Sequence, residues 1–298
     1  ACASPAYVYA VNYARQRVQG RHLEQMEDKT APPVAIIEHP DVRRMLMTMK
    51  AYVEGMRSLL YYIGLCDDRV DTTDDEDEKA MLQAMVDLLI PVAKGYVTDR
   101  AFEVCSLGVQ IYGGYGYIKE YPAEQLLRDC RITQIYEGTN GIQAMDLLGR
   151  KLGMNKGKPV MKLFEEIQKT IATGKGNART TPYAEDLEKI TNKLGEAAMH
   201  IGATAMENRV AAFAFAHPFM EVAGDVIVAW QLLWRANIAA ENLDNGAKKK
   251  DVPFYEGILK SAEFFTSTVL PVTFGKMKSI LNMNTAAVDI SADSFAAK

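Results

Sequence analysis

The 298-residue chain is poor in the residues that mark several protein classes. It holds four cysteines, Cys2, Cys66, Cys105 and Cys130, and no CxxC pair. So few cysteines in so long a chain make no disulfide scaffold, and zinc ribbons and thioredoxin-like chemistry have no anchor. Free thiols suit a reducing compartment, so a cytoplasmic location is expected. With 34 Lys and Arg against 38 Asp and Glu the net charge is −4, so no global basic field recruits nucleic acid or an anionic membrane. No stretch of 18 apolar residues lacks charge or proline. The nearest, Ala211 to Trp234, contains His217, Pro218, Glu221 and Asp225, so no integral membrane segment is expected. Twenty-one glycines and 11 prolines exclude a collagen-like or low-complexity polymer.

What remains is an ordinary folded composition, 48% hydrophobic and 24% charged. The length predicts two domains at ~150 residues each. The opening ACASPAYVYAVNYARQRVQG has no Met, no basic n-region and no apolar h-region, so it does not read as a signal peptide. Its apolar residues are already helically spaced from Tyr7, which reads as a cut through a longer protein.

The periodicity is helical almost throughout, and the alternation of a sheet is absent from both halves. Helices are expected over Tyr7–Arg17, Asp41–Cys66 and Lys79–Val109, the last bent by Pro91. The acidic run Asp67–Glu78 reads as a solvated loop whose last carboxylates favour the next helix start. The third helix ends in Tyr112-Gly113-Gly114-Tyr115-Gly116-Tyr117. A short helix Pro122–Cys130, a non-periodic stretch Ile132–Tyr136 and a helix Ile142–Leu152 follow. The composition of Gly153–Pro159 reads as a domain joint. Beyond it, helices are expected over Val160–Thr173, Pro182–Phe215, Phe219–Leu243 and Pro253–Leu270, with Ala286–Lys298 frayed.

Carboxylate-bridged metals in helical cores need Glu-x-x-His pairs, and none of His22, His39, His200 and His217 has Glu three residues before it. No metal site is therefore expected, and His200 reads as a partly buried helix residue. Neither GxxxxGK[ST] nor GxSxG occurs. Two local signals stand out. The glycine cluster would let a backbone approach a ligand closely, or it is simply a glycine-rich helix C-terminus. Tyr136-Glu137-Gly138-Thr139 would place a carboxylate on an irregular stretch before a helix, or it is a capping turn with Thr139 or Asn140 as N-cap.

Together these signals carry a resemblance. The segment QIYGGYGYIKEYPAEQLLRDCRITQIYEGTNGIQAMDLLGRKL, Gln110 to Leu152, resembles the C-terminal helical domain of the acyl-CoA dehydrogenases. The glycine cluster, the Tyr121-Pro122 turn, Arg128-Asp129 and the Tyr-Glu-Gly-Thr turn stand in that family's order and spacing. Tyr13-Ala14-Arg15-Gln16-Arg17 resembles the end of that domain's first helix. The resemblance covers residues 1–152. It implies an all-α chain: a four-helix bundle over 1–153, then a helical extension over 154–298 like that of the longer members, for oligomer contact or cover. Trp230, Trp234, Phe213 and Phe215 are expected in its core or interface.

The resemblance further implies an FAD-dependent oxidoreductase of fatty acid metabolism and β-oxidation. Such an enzyme converts an acyl-CoA thioester to the 2-enoyl-CoA and passes electrons to electron-transfer flavoprotein. Its expected location is the cytoplasm, or the mitochondrial matrix in a eukaryote. Glu137 matches the catalytic base, which must reach within about 3 Å of the α-proton. Desolvation in an apolar site would raise a carboxylate's basicity. Gly138 leaves room for substrate. Gln110, Gly113 and Gly114 match residues that reach the FAD of a neighbouring subunit, and Arg17 matches an arginine on its pyrophosphate, where a guanidinium fork suits phosphate oxygens. Thr139 matches a threonine near the flavin. The sharing of FAD implies a homodimer or homotetramer. Val18-Gln19 and Gly141 depart from the family's usual residues, which leaves the adenine contacts open. Arg128-Asp129 reads as a structural ion pair. The family's N-terminal helical and middle β-domains have no counterpart here, so this chain alone is expected to be inactive. The rivals are an inactive helical oligomerisation module and an acyl-CoA oxidase.

Overall fold

The computed structural model describes residues 1–296, so the expectation for Ala297 and Lys298 lies outside the described residues. The expected all-α fold is what the chain adopts. Helix α1 (Ala3–Gln16) leads into a two-stranded hairpin, β1 (Val18–Arg21) and β2 (Pro33–Ala35). Helices α2 (Pro40–Thr72) and α3 (Glu76–Pro91) follow. A π turn (Val92–Tyr96) joins α3 to α4 (Val97–Tyr112). A 3-10 turn (Gly113–Tyr117), α5 (Pro122–Arg131) and α6 (Thr139–Asp146) complete the first half. Then come α7 (Lys158–Lys175), α8 (Thr181–Glu207), α9 (Arg209–Ala214), α10 (Ala216–Asp244), α11 (Val252–Phe264), α12 (Leu270–Asn282) and α13 (Ala286–Asp289).

Two compact units form, and they do not follow chain order: residues 1–57 with 97–137, and residues 58–96 with 138 onward. In the first, α1 buries Ala3, Ala6, Ala10 and Ala14, one small residue per turn. That smooth face packs on α4, where a Cβ on Gly108 would rest 3.7 Å from the Ala6 Cβ. Met45, Met49, Val53 and Met56 of α2 fill the same core. Arg100 of α4 is 5% exposed; its guanidinium pairs with Glu103 at 2.6 Å and lies 5.7 Å from the Tyr52 ring centroid. A buried cation needs such partners.

The second unit is organised by α10, which is apolar nearly all round, as a helix enclosed by others must be. It packs on α7, α8, α11 and α12. Stripes on α7 (Leu163, Ile167, Ile171) and α8 (Leu187, Ile190, Leu194, Ile201) face this core. Burying each such side chain is worth about 1.5–3 kcal/mol. Trp230 is buried and donates Nε1–H to Thr170 Oγ1 at 2.8 Å, whereas Trp234 is 40% exposed. Asp225 is buried, with Tyr96 OH donating to Oδ1 at 2.7 Å and Thr273 OH to Oδ2 at 2.9 Å. The chain passes close here: a Cβ on Gly224 would run into the Tyr96 ring.

Several local expectations change. The acidic run is not a loop. Helix α2 continues to Thr72, and Asp75 caps α3 by accepting from the Asp77 and Glu78 amides at 3.0 and 3.2 Å. The acidic first turn of α3 then complements the helix dipole, as expected. The helix expected over Lys79–Val109 is interrupted, because Pro91 supplies no amide proton and the next five residues open into the π turn. The hairpin was not expected. All four β1 residues are exposed, so no alternation of burial betrays it. Arg21 holds its loop by donating to Ala31 O at 3.2 Å and Lys29 O at 2.9 Å. Beyond α11 the chain recovers through a further π turn, Phe265–Val269, into α12, a helix that Pro271 had concealed. Among the described residues one helical run, Glu76–Tyr117, is long and apolar enough by composition to cross a membrane, rather than Ala211–Trp234. Half of its most apolar window is buried within the protein, as in a core helix.

The glycine contacts generate a prediction. Gly224→Ala should destabilise the fold by roughly 1–3 kcal/mol through overpacking against Tyr96. Gly202→Ala, with no atom within 4 Å of the added methyl, should stabilise it by about 0.5–1 kcal/mol through helix propensity. Urea unfolding midpoints of the two variants should move in opposite directions.

Candidate active site

Arg17 is the first residue past α1, where the chain turns extended. Its guanidinium lies 5.4 Å from the Tyr115 ring centroid, and its Nη2 donates to Gln19 Oε1 at 3.1 Å. Tyr115 sits in the 3-10 turn that ends α4, so Arg17 and the glycine cluster are brought together. An aromatic cluster supports both. Tyr13 and Tyr112 stack at 4.1 Å, and Tyr121 meets Tyr13, Tyr112 and Tyr115 at 6.4, 5.8 and 5.0 Å. Burial pushes the Tyr13 and Tyr112 phenols above their ordinary range. Their role was not apparent beforehand; the only signal was the tyrosine interleaving of Tyr112–Tyr117 with the Tyr-Pro turn.

The three glycines differ. Gly113 takes φ +60°, a conformation that favours glycine, and a Cβ on Gly113 or Gly114 would meet nothing within 4 Å. A Cβ on Gly116 would collide with the Val109 carbonyl of the preceding turn. Gly116 is thus glycine for packing, whereas Gly113 and Gly114 present bare backbone to open space. Gln110, in the last turn of α4, is exposed. A groove of about 750 Å³ runs along α4 and α5, lined by Phe102, Leu127 and Ile135, with Lys119, Arg128 and Arg131 on its walls. Arg131 lies 5.5 Å from the Phe102 ring centroid. Among the described residues Arg128 and Asp129, both exposed, do not make the expected ion pair, because consecutive helical residues diverge.

Glu137, Gly138 and Thr139 are consecutive residues with φ of 53°, 88° and 71°. Two are not glycine, and one is β-branched. Such backbone costs roughly 1–3 kcal/mol per residue and concentrates at functional sites. Gly138, in the left-handed region, is the N-cap of α6 and makes no side-chain cap, so neither Thr139 nor Asn140 has the capping role. Asn140 instead is buried. Its Oδ1 accepts from Lys94 Nζ at 2.9 Å and its Nδ2 donates to Gly95 O at 3.0 Å, both in the π turn. The Glu137 side chain is exposed and makes no hydrogen bond or ion pair among the described residues. Thr139 is also exposed.

Residues 3–152 match the family model described as acyl-CoA dehydrogenase, C-terminal domain. The chain belongs to the acyl-CoA dehydrogenase family. Residues 163–291 match a second model, acetyl-CoA dehydrogenase C-terminal like. Among curated relatives, the chain is 36% identical to the broad-specificity linear acyl-CoA dehydrogenase FadE5 of Mycobacterium tuberculosis, over 98% of this chain and 49% of the relative. It is 39% identical to the 3-methylmercaptopropionyl-CoA dehydrogenase of Ruegeria pomeroyi, over 91% of this chain and 45% of the relative. The chain therefore spans about half the length of the curated relatives it matches. An acyl-CoA dehydrogenase from Bacillus anthracis, solved with FAD, shares the fold with a TM-score of 0.63 at 21% identity, covering 97% of this chain and 48% of that one.

Asn140 yields the prediction for this family member. Asn140→Ala removes the hydrogen bonds to Lys94 and Gly95 at the start of α6 and should cost about 1–3 kcal/mol. Hydrogen exchange should then accelerate at the α6 amides, while those of α1 stay protected.

Proposed function

We propose that the protein containing this chain oxidises an acyl-CoA thioester to the 2-enoyl-CoA, with Glu137 as the base. The observation that carries this reading is the exposed, unengaged Glu137 carboxylate on a turn of three consecutive left-handed residues. As a carboxylate, Glu137 takes the α-proton and holds it at one oxygen. Gly138, without a side chain, keeps space beside the acceptor oxygen for the thioester. FAD, when bound, supplies the acceptor for the β-hydride.

The residues at the end of α4 suit a flavin dinucleotide. Arg17 offers a phosphate fork, held by Tyr115 and Gln19, and Gly113 and Gly114 leave room for close approach. Gln110 adds an exposed amide. We assign these four residues to the pyrophosphate side of FAD and Thr139 to the flavin side. Electron-transfer flavoprotein is the proposed electron acceptor, β-oxidation the proposed setting and the cytoplasm the proposed location. The dehydrogenase names of the curated relatives support this over the oxidase reading. Residues 154–298 are assigned a contact or covering role.

Glu137→Gln in the full-length enzyme should keep FAD bound and lower turnover by at least ~10²–10⁴-fold, because an amide cannot accept the proton at neutral pH. Turnover at the wild-type rate would place the base elsewhere.

Because Gln110, Gly113 and Gly114 are proposed to serve a neighbour's FAD, the active species should be a homodimer or homotetramer. Light scattering on the full-length enzyme checks this. A strictly monomeric, fully active protein would remove the shared assignment of all three residues.

A further inference from the structure

The second unit holds a cavity of about 50 Å³ between α3, α7, α8 and α10. Fourteen side chains line it, and every one is Leu, Val, Ile, Phe or Ala. Ten of them are buried, Leu89 of α3 and Ile167 of α7 among them. The other four, Leu152, Val160, Phe164 and Ala198, are half-buried and mark where the cavity comes nearest to solvent.

The gap has a cause in the sequence. On α10, Phe219, Ala223 and Ile227 follow one another at a spacing of four and share one face. A methyl group therefore stands where the turns on either side carry a ring and a branched aliphatic chain. On α8, Ala198 follows Leu194 in the same way, one turn later. The surrounding side chains are held by their own helices and close such a gap only in part, because a packed core relaxes incompletely around missing volume.

We infer that this cavity is a dry binding site for an uncharged apolar guest of the size of xenon or dioxygen. Nothing in this inference rests on the catalytic reading of Glu137.

Polarity and size together select that class. A water molecule needs about 10–15 Å³ of space and roughly two to four polar partners. The space is sufficient, but no polar atom reaches the wall, so a water placed here would forfeit its hydrogen bonds. A charged guest is excluded more strongly for the same reason. A benzene ring occupies apolar cavities of about 150 Å³, well above the volume available. A small apolar guest gives up no hydrogen bond on entry. It also supplies the dispersion contacts that atoms lining a void lack, and a polarisable atom such as xenon supplies them best.

The test pressurises crystals of the full-length protein with xenon and locates the gas by anomalous diffraction. The expected result is a xenon peak in van der Waals contact with Leu89, Ile167 and Ala223, at a place that holds no water in the untreated crystal. Benzene soaked into the same crystals should leave the cavity empty. Ala223→Val extends the wall into the cavity and should abolish the xenon peak. The wild-type maps decide the matter even where that variant folds poorly. Ordered water in the cavity of the untreated protein would overturn the inference, as would the absence of xenon there under pressure. A benzene ring seated in the cavity, or an undiminished xenon peak in folded Ala223→Val, would do the same.

Discussion

The buried Asn140 carboxamide holds the first turn of α6 to the π turn, with Lys94 Nζ at 2.9 Å on its oxygen and the Gly95 carbonyl at 3.0 Å on its nitrogen. Both partners lie where Pro91 has stopped the preceding helix from continuing in α geometry. Within that turn the Gly95 carbonyl accepts from a side chain 45 residues further along the chain. The break at Pro91 and the anchoring of α6 are thus one arrangement. Glu137 and Thr139, left-handed although not glycine, can hold that backbone because the residue that follows is pinned. In α6 the anchor is polar and buried, and in the residue that does the proposed chemistry the side chain is exposed. That division separates rigidity from reactivity within four positions of the chain.

The same separation recurs at the glycine cluster. Gly116 is required by the carbonyl of the turn beneath it, and Gly113 by its backbone conformation. Gly114 is required by neither, since its φ is not left-handed and a Cβ there would meet no atom. Arg17 lies over the ring of the next residue, Tyr115, so a guanidinium and bare backbone are neighbours at this helix end. The tyrosine stack of Tyr13, Tyr112 and Tyr121 joins the end of α1 to the end of α4 and so sets the position of Arg17. Packing on the alanine face of α1 does the rest, because small side chains let the two helices approach.

Most of the helices were legible because each buries one stripe at helical spacing, as Leu163, Ile167 and Ile171 do. The glycine cluster and the Tyr-Glu-Gly-Thr turn were legible as a pair, in register, where each alone reads as ordinary punctuation. What the residues did not disclose has physical causes. The hairpin at Val18–Arg21 and Pro33–Ala35 leaves one strand wholly exposed, so no period of two is selected. The acidic run beyond Cys66 stays helical because Asp and Glu are tolerated on an exposed helical face, and the true break is confined to residues 73–75. Asn140 looked like a cap because asparagine beside a turn usually is one. Its partners come from a segment 45 residues earlier, a distance that local patterning does not span. Charge proximity in the chain misled in the same way at Arg128-Asp129, where helical geometry turns neighbours apart.

Deep in the second unit, Asp225 marks how such long helices keep one register. A buried carboxylate is tolerated only with its oxygens occupied, and here a tyrosine from the π turn and a threonine from α12 each take one. Sliding α10 by one residue would turn Asp225 away from both. It would also drive Gly224, which accommodates the Tyr96 ring, out of that contact and put a side chain in its place. Apolar packing alone would not penalise such a slip as strongly, since α10 is hydrophobic almost all round and presents similar surface on every side. The polar contact therefore supplies the specificity that the apolar face lacks. It acts on the same π turn that Asn140 grips, so the turn opened by Pro91 is fixed from two directions, one through Tyr96 and one through Gly95 and Lys94.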